Sequence, residues 1–203
     1  MAEPRPPLVL ASTSPYRREL LARLGLPFEV EAPEVDEAPL AGEAPEALVR
    51  RLSEAKARAV AARRPGAVVV GSDQVAVIDG EVLGKPGGPE RAREQLRRAS
   101  GRAVDFLTGL AVLDTRDGRL QLAVVPFRVV FRPLDEARIE AYLRHDEPWN
   151  CAGSFRSERL GVALFERMEG DDPTALMGLP LIRLVRMLEA VGLDPLAPGA
   201  GGA

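Results

Sequence analysis

The sequence predicts an α/β fold: a mixed sheet, flanked by helices and bent into two lobes around a cleft. Three observations carry this expectation. Near the N-terminus an apolar run is closed by hydroxyl residues and leads straight into a helical pattern. Asp79-Gly80 and Asp117-Gly118 each separate two strand-like runs, as hairpin turns do. Helical stripes alternate with such runs over the rest of the chain, which suits layers of helix on sheet.

Leu8 to Ala11 is the first strand, stopping at Ser12-Thr13-Ser14-Pro15; Leu20, Leu21 and Leu24 then recur at helical spacing. Ser14 suits the N-cap, because its side-chain oxygen can accept from a free first-turn N–H. Pro15 suits the first helical position, where a missing N–H costs nothing, and Gly25 ends the helix. A polar, proline-containing stretch leads to Pro45, and a second helix runs to about Arg64 with Leu48, Leu52, Ala55 and Ala59 on one stripe and Lys56 on its flank.

Ala67 to Gly71 is a continuous β-branched run, expected of a strand buried on both faces. Val75 to Ile78 and Glu81 to Leu83 form a hairpin across Asp79-Gly80. Pro89 to Ala99 reads as a basic surface helix closed by Gly101. Long strands follow at Ala103 to Asp114 and Leu120 to Phe131, then a helix at Asp135 to Leu143. Trp149 to Glu158 is turn-rich, Leu160 to Glu166 reads as a strand, and Pro180 to Val191 as a capped apolar helix.

With 203 residues, 46% hydrophobic and 28% charged, the chain can bury a sizeable core. The expected organisation is a flexible start over residues 1–7, one two-lobed domain over 8–192, and a flexible Pro/Gly/Ala-rich tail over 193–203. Twenty-seven Lys and Arg against 30 Asp and Glu leave a formal net charge of −3, which argues against a nucleic-acid polymer as partner. Any phosphate site is therefore local. No stretch approaches the ~18 apolar residues of a membrane span, and the start lacks a signal-peptide pattern, so a cytoplasmic location is expected. Cys151 and His145, each alone of its kind, exclude an internal disulfide and a Cys/His zinc site, and both read as packed or exposed bystanders.

Two constellations carry chemistry. At the first turn, the hydroxyls of Ser12, Thr13 and Ser14, the helix N–H groups, and Arg17 and Arg18 make an anion site, since helix N-termini carry partial positive charge and guanidinium matches phosphate geometry. Farther on, Gly71-Ser72-Asp73-Gln74 reads as an apolar strand ending in a carboxylate, with Gly84-Lys85-Pro86 at the far end of the hairpin. A carboxylate there can hold a divalent cation or accept a proton from attacking water, and a lysine can neutralise a leaving pyrophosphate.

These pieces occur in order with Leu-Ala-Ser-Thr-Ser-Pro-Tyr-Arg-Arg (10–18), Val-Asp-Glu (35–37), Lys56, Cys-Ala-Gly-Ser-Phe (151–155) and Gly-Leu-Pro-Leu (178–181), and together they resemble Maf proteins over nearly the whole chain. The resemblance implies a strongly bent, two-lobed fold like that of inosine triphosphate pyrophosphatases, a homodimer, and a nucleoside triphosphate pyrophosphatase that uses Mg²⁺ or Mn²⁺. Carried over by position, Asp73 is the proton acceptor, Ser12, Arg17, Arg18, Lys56 and Lys85 surround the phosphates, and Glu37 joins Asp73 at metal or water.

Tyr16, Gln74 and Glu158 are the expected specificity residues, and they resemble the family's 7-methyl-GTP branch, which would remove a modified nucleotide from the pool. N7 methylation makes guanine cationic, so stacking on Tyr16 gains roughly 0.5–2 kcal/mol. Glu158 offers acceptors to guanine N1–H and N2–H, where uracil or thymine would present an unmatched acceptor. Arg159 stands where that branch usually has glycine. Two alternatives stay open: a dTTP, UTP or CTP pyrophosphatase of the same family, and a nucleotide-binding regulator of septum formation.

Overall fold

In the computed structural model, which describes residues 5–197, strand β1 (Leu8–Ala11) is buried along its whole length and leads into helix α1 (Pro15–Ala22). Ser14 caps α1, its hydroxyl accepting from the Arg17 N–H at 3.4 Å. Strand β2 (Phe28–Glu31) follows, within the stretch read from sequence as irregular. It is an edge strand of four residues, and its Phe-Glu-Val-Glu alternation is too short to stand out between Pro27 and Pro33.

Helix α2 (Pro45–Ala61) lies on strand β3 (Val68–Ile78), which pairs through an Asp79-Gly80 turn with β4 (Glu81–Leu83). Helix α3 (Pro89–Ala99), strands β5 (Ala103–Asp114) and β6 (Leu120–Phe131), and helix α4 (Glu136–Asp146) come next. Residues Leu160–Leu164, expected in a strand, form a 3₁₀ turn instead, and the strand β7 (Phe165–Glu169) begins only after it. Helix α5 (Leu181–Glu189) closes the chain. Its N-cap position, Pro180, has no side-chain oxygen to offer, so the orphan N–H groups are met from elsewhere.

The seven strands form one mixed sheet in the order β2-β1-β3-β5-β6-β7, with β4 attached to β3. Strand β1 runs parallel to both β2 and β3, and the remaining pairs are antiparallel. Strand β3 does not end at Asp73: its ladder with β5 continues from Val68 to Val77. It is β1 that ends, at Ala11 opposite Gly71, leaving the β3 edge unpaired until β4 takes it up at Ala76.

Two glycines bring α2 down onto the sheet. A Cβ on Gly71 would lie 2.3 Å from Ser53 O, and one on Gly109 would lie 2.2 Å from Val49 O, so only a bare backbone permits this approach. Lys56 consequently sits within the buried stripe of α2, with Leu52, Ser53 and Val60, rather than on its flank.

The core is divided along the strands. Val68 and Val70 of β3 and Leu110 and Val112 of β5 pack with α1 and α5, whereas Ala76, Ile78, Val104 and Phe106 pack with α3 and α4. These are the two lobes. Phe155 stacks edge-on against Phe106, Phe131 and Phe165 at centroid distances of 5.3, 5.6 and 4.8 Å, which pins the 151–158 segment to the second lobe.

Packing reaches past both expected boundaries. Pro7 O accepts from Val68 N–H at 2.8 Å, and Leu193, buried in the first lobe, donates its N–H to Leu188 O at 2.9 Å. Residues 1–4 and 198–203, the ends of the expected flexible segments, lie outside the described residues. Among the described residues no helix is long and apolar enough to cross a membrane.

Candidate active site

Where β1 stops, a cleft of about 840 Å³ opens between the α1 turn, the 32–39 segment, α2, β3 and the 150–158 segment. Because successive strand residues point to opposite faces, Asp73 faces α2 while Gln74 faces the turn at Pro173–Met177. The cleft wraps around this edge and reaches both.

On the α2 side, Lys56 is 4% exposed, and its Nζ donates to Asp73 Oδ1 and to Glu37 Oε1, each at 2.7 Å. An ammonium cannot stay buried without such partners, and two carboxylates satisfy it here. Burial pushes the Glu37 carboxyl upward, but the Lys56 hydrogen bond, with the charges of Lys56, Lys85 and Arg17, outweighs this and holds it below its ordinary value. Lys85 is itself exposed at the rim.

On the other side of the edge, Arg17 Nε donates to Gly178 O at 2.9 Å, leaving the terminal nitrogens of its fork unused by that bond. Burial lowers the Arg17 pKa while the fields of Asp73 and Glu37 raise it, so the guanidinium and both carboxylates act within one field. Ser12, 3% exposed, accepts from the Ser14 N–H at 3.1 Å and fixes the turn above them. Arg18 is not part of this group: it is exposed and outside the cleft wall, because one step along a helix rotates the side chain by about 100°.

Tyr16, Gln74 and Glu158 all line the cleft. Tyr16 is half-buried with its hydroxyl 4.0 Å from Cys151 Sγ; burial and Cys151 raise its pKa, and Glu158 adds to the rise. Glu158 is exposed on the wall. The Gln74 amide is held by protein, donating to Ala175 O at 2.6 Å, Leu176 O at 3.2 Å and the Thr108 hydroxyl at 2.9 Å.

Sequence reasoning missed three residues of this wall. Cys151, read as a bystander, is half-buried beside Tyr16; Arg156 lines the cleft close by; and Gly178 touches both Arg17 and Gln74 through its surroundings. The Gly-Leu-Pro-Leu and Cys-Ala-Gly-Ser-Phe motifs were the available signals for Gly178 and Cys151, and Arg156 had none. His145 lies beside the buried Asp146, 3.1 Å away and outside the cleft wall.

The donor set suits a cation shared with a substrate. Asp73 Oδ1 and Glu37 Oε1 meet at Lys56 Nζ, so an ion beside them would take their second oxygens, and among the described residues no group of three or more His, Cys, Asp or Glu could hold an ion unaided. Magnesium at polyphosphate sites is commonly held in this way, by one or two carboxylates plus phosphate oxygens and water.

Several named proteins are similar to this chain over most of its length. A 7-methyl-GTP pyrophosphatase of Pseudomonas aeruginosa is 60% identical over 93% of this chain and 98% of that protein. Proteins of the same name from Nitrosococcus oceani and Bordetella pertussis are 58% and 59% identical, over 95% and 94% of this chain and 97% and 95% of theirs. The family model described as Maf-like protein matches residues 7–191, a span that takes in every cleft residue named above, and the chain belongs to the Maf family.

Proposed function

We propose that this protein hydrolyses 7-methyl-GTP to 7-methyl-GMP and pyrophosphate, removing a modified nucleotide from the pool. The observation that carries the reading is the convergence of Asp73, Glu37, Lys56 and Arg17 on one cleft large enough for a nucleotide. The names of the 55–60% identical relatives support the choice of substrate.

Asp73 accepts a proton from the water whose oxygen attacks the α-phosphorus. The bond from that phosphorus to the bridging oxygen breaks, and its electron pair leaves with pyrophosphate. Arg17, Lys56 and Lys85 neutralise the phosphate oxygens, and the Ser12 turn orients them. Arg18, outside the cleft, has no part in this. A divalent cation, Mg²⁺ or Mn²⁺, would be held by Asp73 and Glu37 with the phosphates and would supply charge neutralisation at the α- and β-phosphates. At the other end Tyr16 stacks on the cationic base, Glu158 accepts from N1–H and N2–H, and Gln74, itself fixed by the 173–177 turn, shapes the floor. We place the enzyme in the cytoplasm, as a homodimer in keeping with its family, which sedimentation tests.

A panel of purified nucleotides (7-methyl-GTP, GTP, dTTP, UTP and CTP), assayed for pyrophosphate release with and without Mg²⁺, tests the reading. Metal-dependent release, fastest from 7-methyl-GTP, is expected. Asp73→Asn should keep the fold and lose about 10²–10⁴ in turnover. Full activity in that variant, or a different preferred base, overturns the corresponding half of the proposal.

A further inference from the structure

The two ends of the cleft are fastened by one short turn. Gly178 O lies 2.9 Å from Arg17 Nε, and Ala175 O lies 2.6 Å from Gln74 Nε2. A single point, the position a Cβ would occupy on Gly178, is 3.5 Å from Arg17 Nε and 3.9 Å from Gln74 Oε1. The residue at 178 has φ +101°, a conformation that favours glycine, and the turn brings its Cα face into contact range of both groups. Whatever sets the position of this turn sets an arginine and an amide together.

From the sheet, the Ser72 hydroxyl donates to Gly178 O at 3.0 Å and the Thr108 hydroxyl to Ala175 O at 2.9 Å, and from the other side Asp172 and Thr174 tie the turn to α5. Asp172 is 3% exposed, accepts from the Thr174 hydroxyl at 2.8 Å through Oδ1, and accepts from the Arg183 N–H at 3.1 Å through Oδ2. The Thr174 hydroxyl in turn accepts from the Leu181 N–H at 2.7 Å. Helix α5 has no capping side chain of its own, so these two residues complete its first turn from a distance and lock it to the 172–178 segment. Neither residue lines the cleft.

We infer that Asp172 and Thr174 are positioning residues for both phosphate and base recognition: their clasp on the start of α5 fixes the turn whose carbonyls hold Arg17 and Gln74. The inference rests on the reading above, in which Arg17 meets phosphates and Gln74 faces the base. It assigns them no contact with substrate. A residue that only stabilised the fold would lower the amount of active enzyme and leave KM and the order of substrates alone. A residue that aims Arg17 and Gln74 would move both.

The test compares Thr174→Val, Thr174→Ser and Asp172→Asn with the parent, using Leu188→Ala, a buried α5 position seven residues beyond Leu181, as a comparator for stability loss. Valine deletes the hydroxyl and strands the Leu181 N–H, serine keeps it, and asparagine turns a donor toward groups that need an acceptor. Steady-state constants are measured on the nucleotide the parent cleaves best and on the next best, with thermal midpoints recorded for each variant. Thr174→Val and Asp172→Asn should raise KM at least tenfold and narrow the preference between the two nucleotides at least tenfold. Thr174→Ser should restore both, and Leu188→Ala, with an equal or larger fall in midpoint, should change neither. If Thr174→Val retains parental KM and preference, or Leu188→Ala shifts them equally, the inference is overturned. Because the comparison follows the parent's own best nucleotide, an unexpected base refutes the substrate reading alone; an inactive parent refutes both.

Discussion

Lys56 is shared between two carboxylates, and this makes Glu37 the residue whose titration can be followed. Its carboxyl is held below the ordinary 4.5, so its contribution to stability is present above that pH and is lost as pH falls through the lower folded value. Denaturation of the parent and of Glu37→Gln from pH 7 to pH 3 should therefore show a gap that is constant at neutral pH and closes in acid; a gap that widens in acid would contradict the ion pair. Specificity has its own probe at this scale. Glu158→Gln replaces one acceptor oxygen by a donor, and turnover of 7-methyl-GTP should fall about tenfold or more while UTP turnover is little changed. Equal losses on every nucleotide would remove Glu158 from base recognition.

Among the elements, the approach of α2 to the sheet decides whether Lys56 reaches Asp73. Gly109 stands directly across the ladder from Asp73, beneath Val49 O. Gly109→Ala should force α2 outward, lowering stability by about 1–3 kcal/mol and activity with it, as denaturant melts and the pyrophosphate assay would record. Unchanged stability would mean the helix can yield. Much of this level was legible beforehand. Strands β5 and β6 were marked by a sharp turn between two long runs, and α1 by its cap and proline. Strand β3 read as broken because Gly71-Ser72-Asp73-Gln74 lacks branched or apolar residues, whereas pairing with β5 carries it through. The same tertiary effect hid Lys56, since a lysine inside a buried stripe makes sense only once its two acidic partners, distant in sequence, are brought beside it. Arg17 and Arg18 looked equivalent in sequence, and only the helix's rotation separated them.

At the scale of the molecule, the strands β3, β5 and β6 contribute residues to the packing of both lobes. Unfolding should accordingly be a single transition, with circular dichroism and tryptophan fluorescence from Trp149 giving coincident curves; separated midpoints would show the lobes to be independent. The same continuity bears on how a nucleotide gets in. Three paired strands run on from one half into the other, so a hinge between the halves would have to bend all three at once. Admission and release are left to the rim, where the 32–39 segment faces the 150–158 segment that Phe155 anchors, and turnover should track the motion of the 32–39 side.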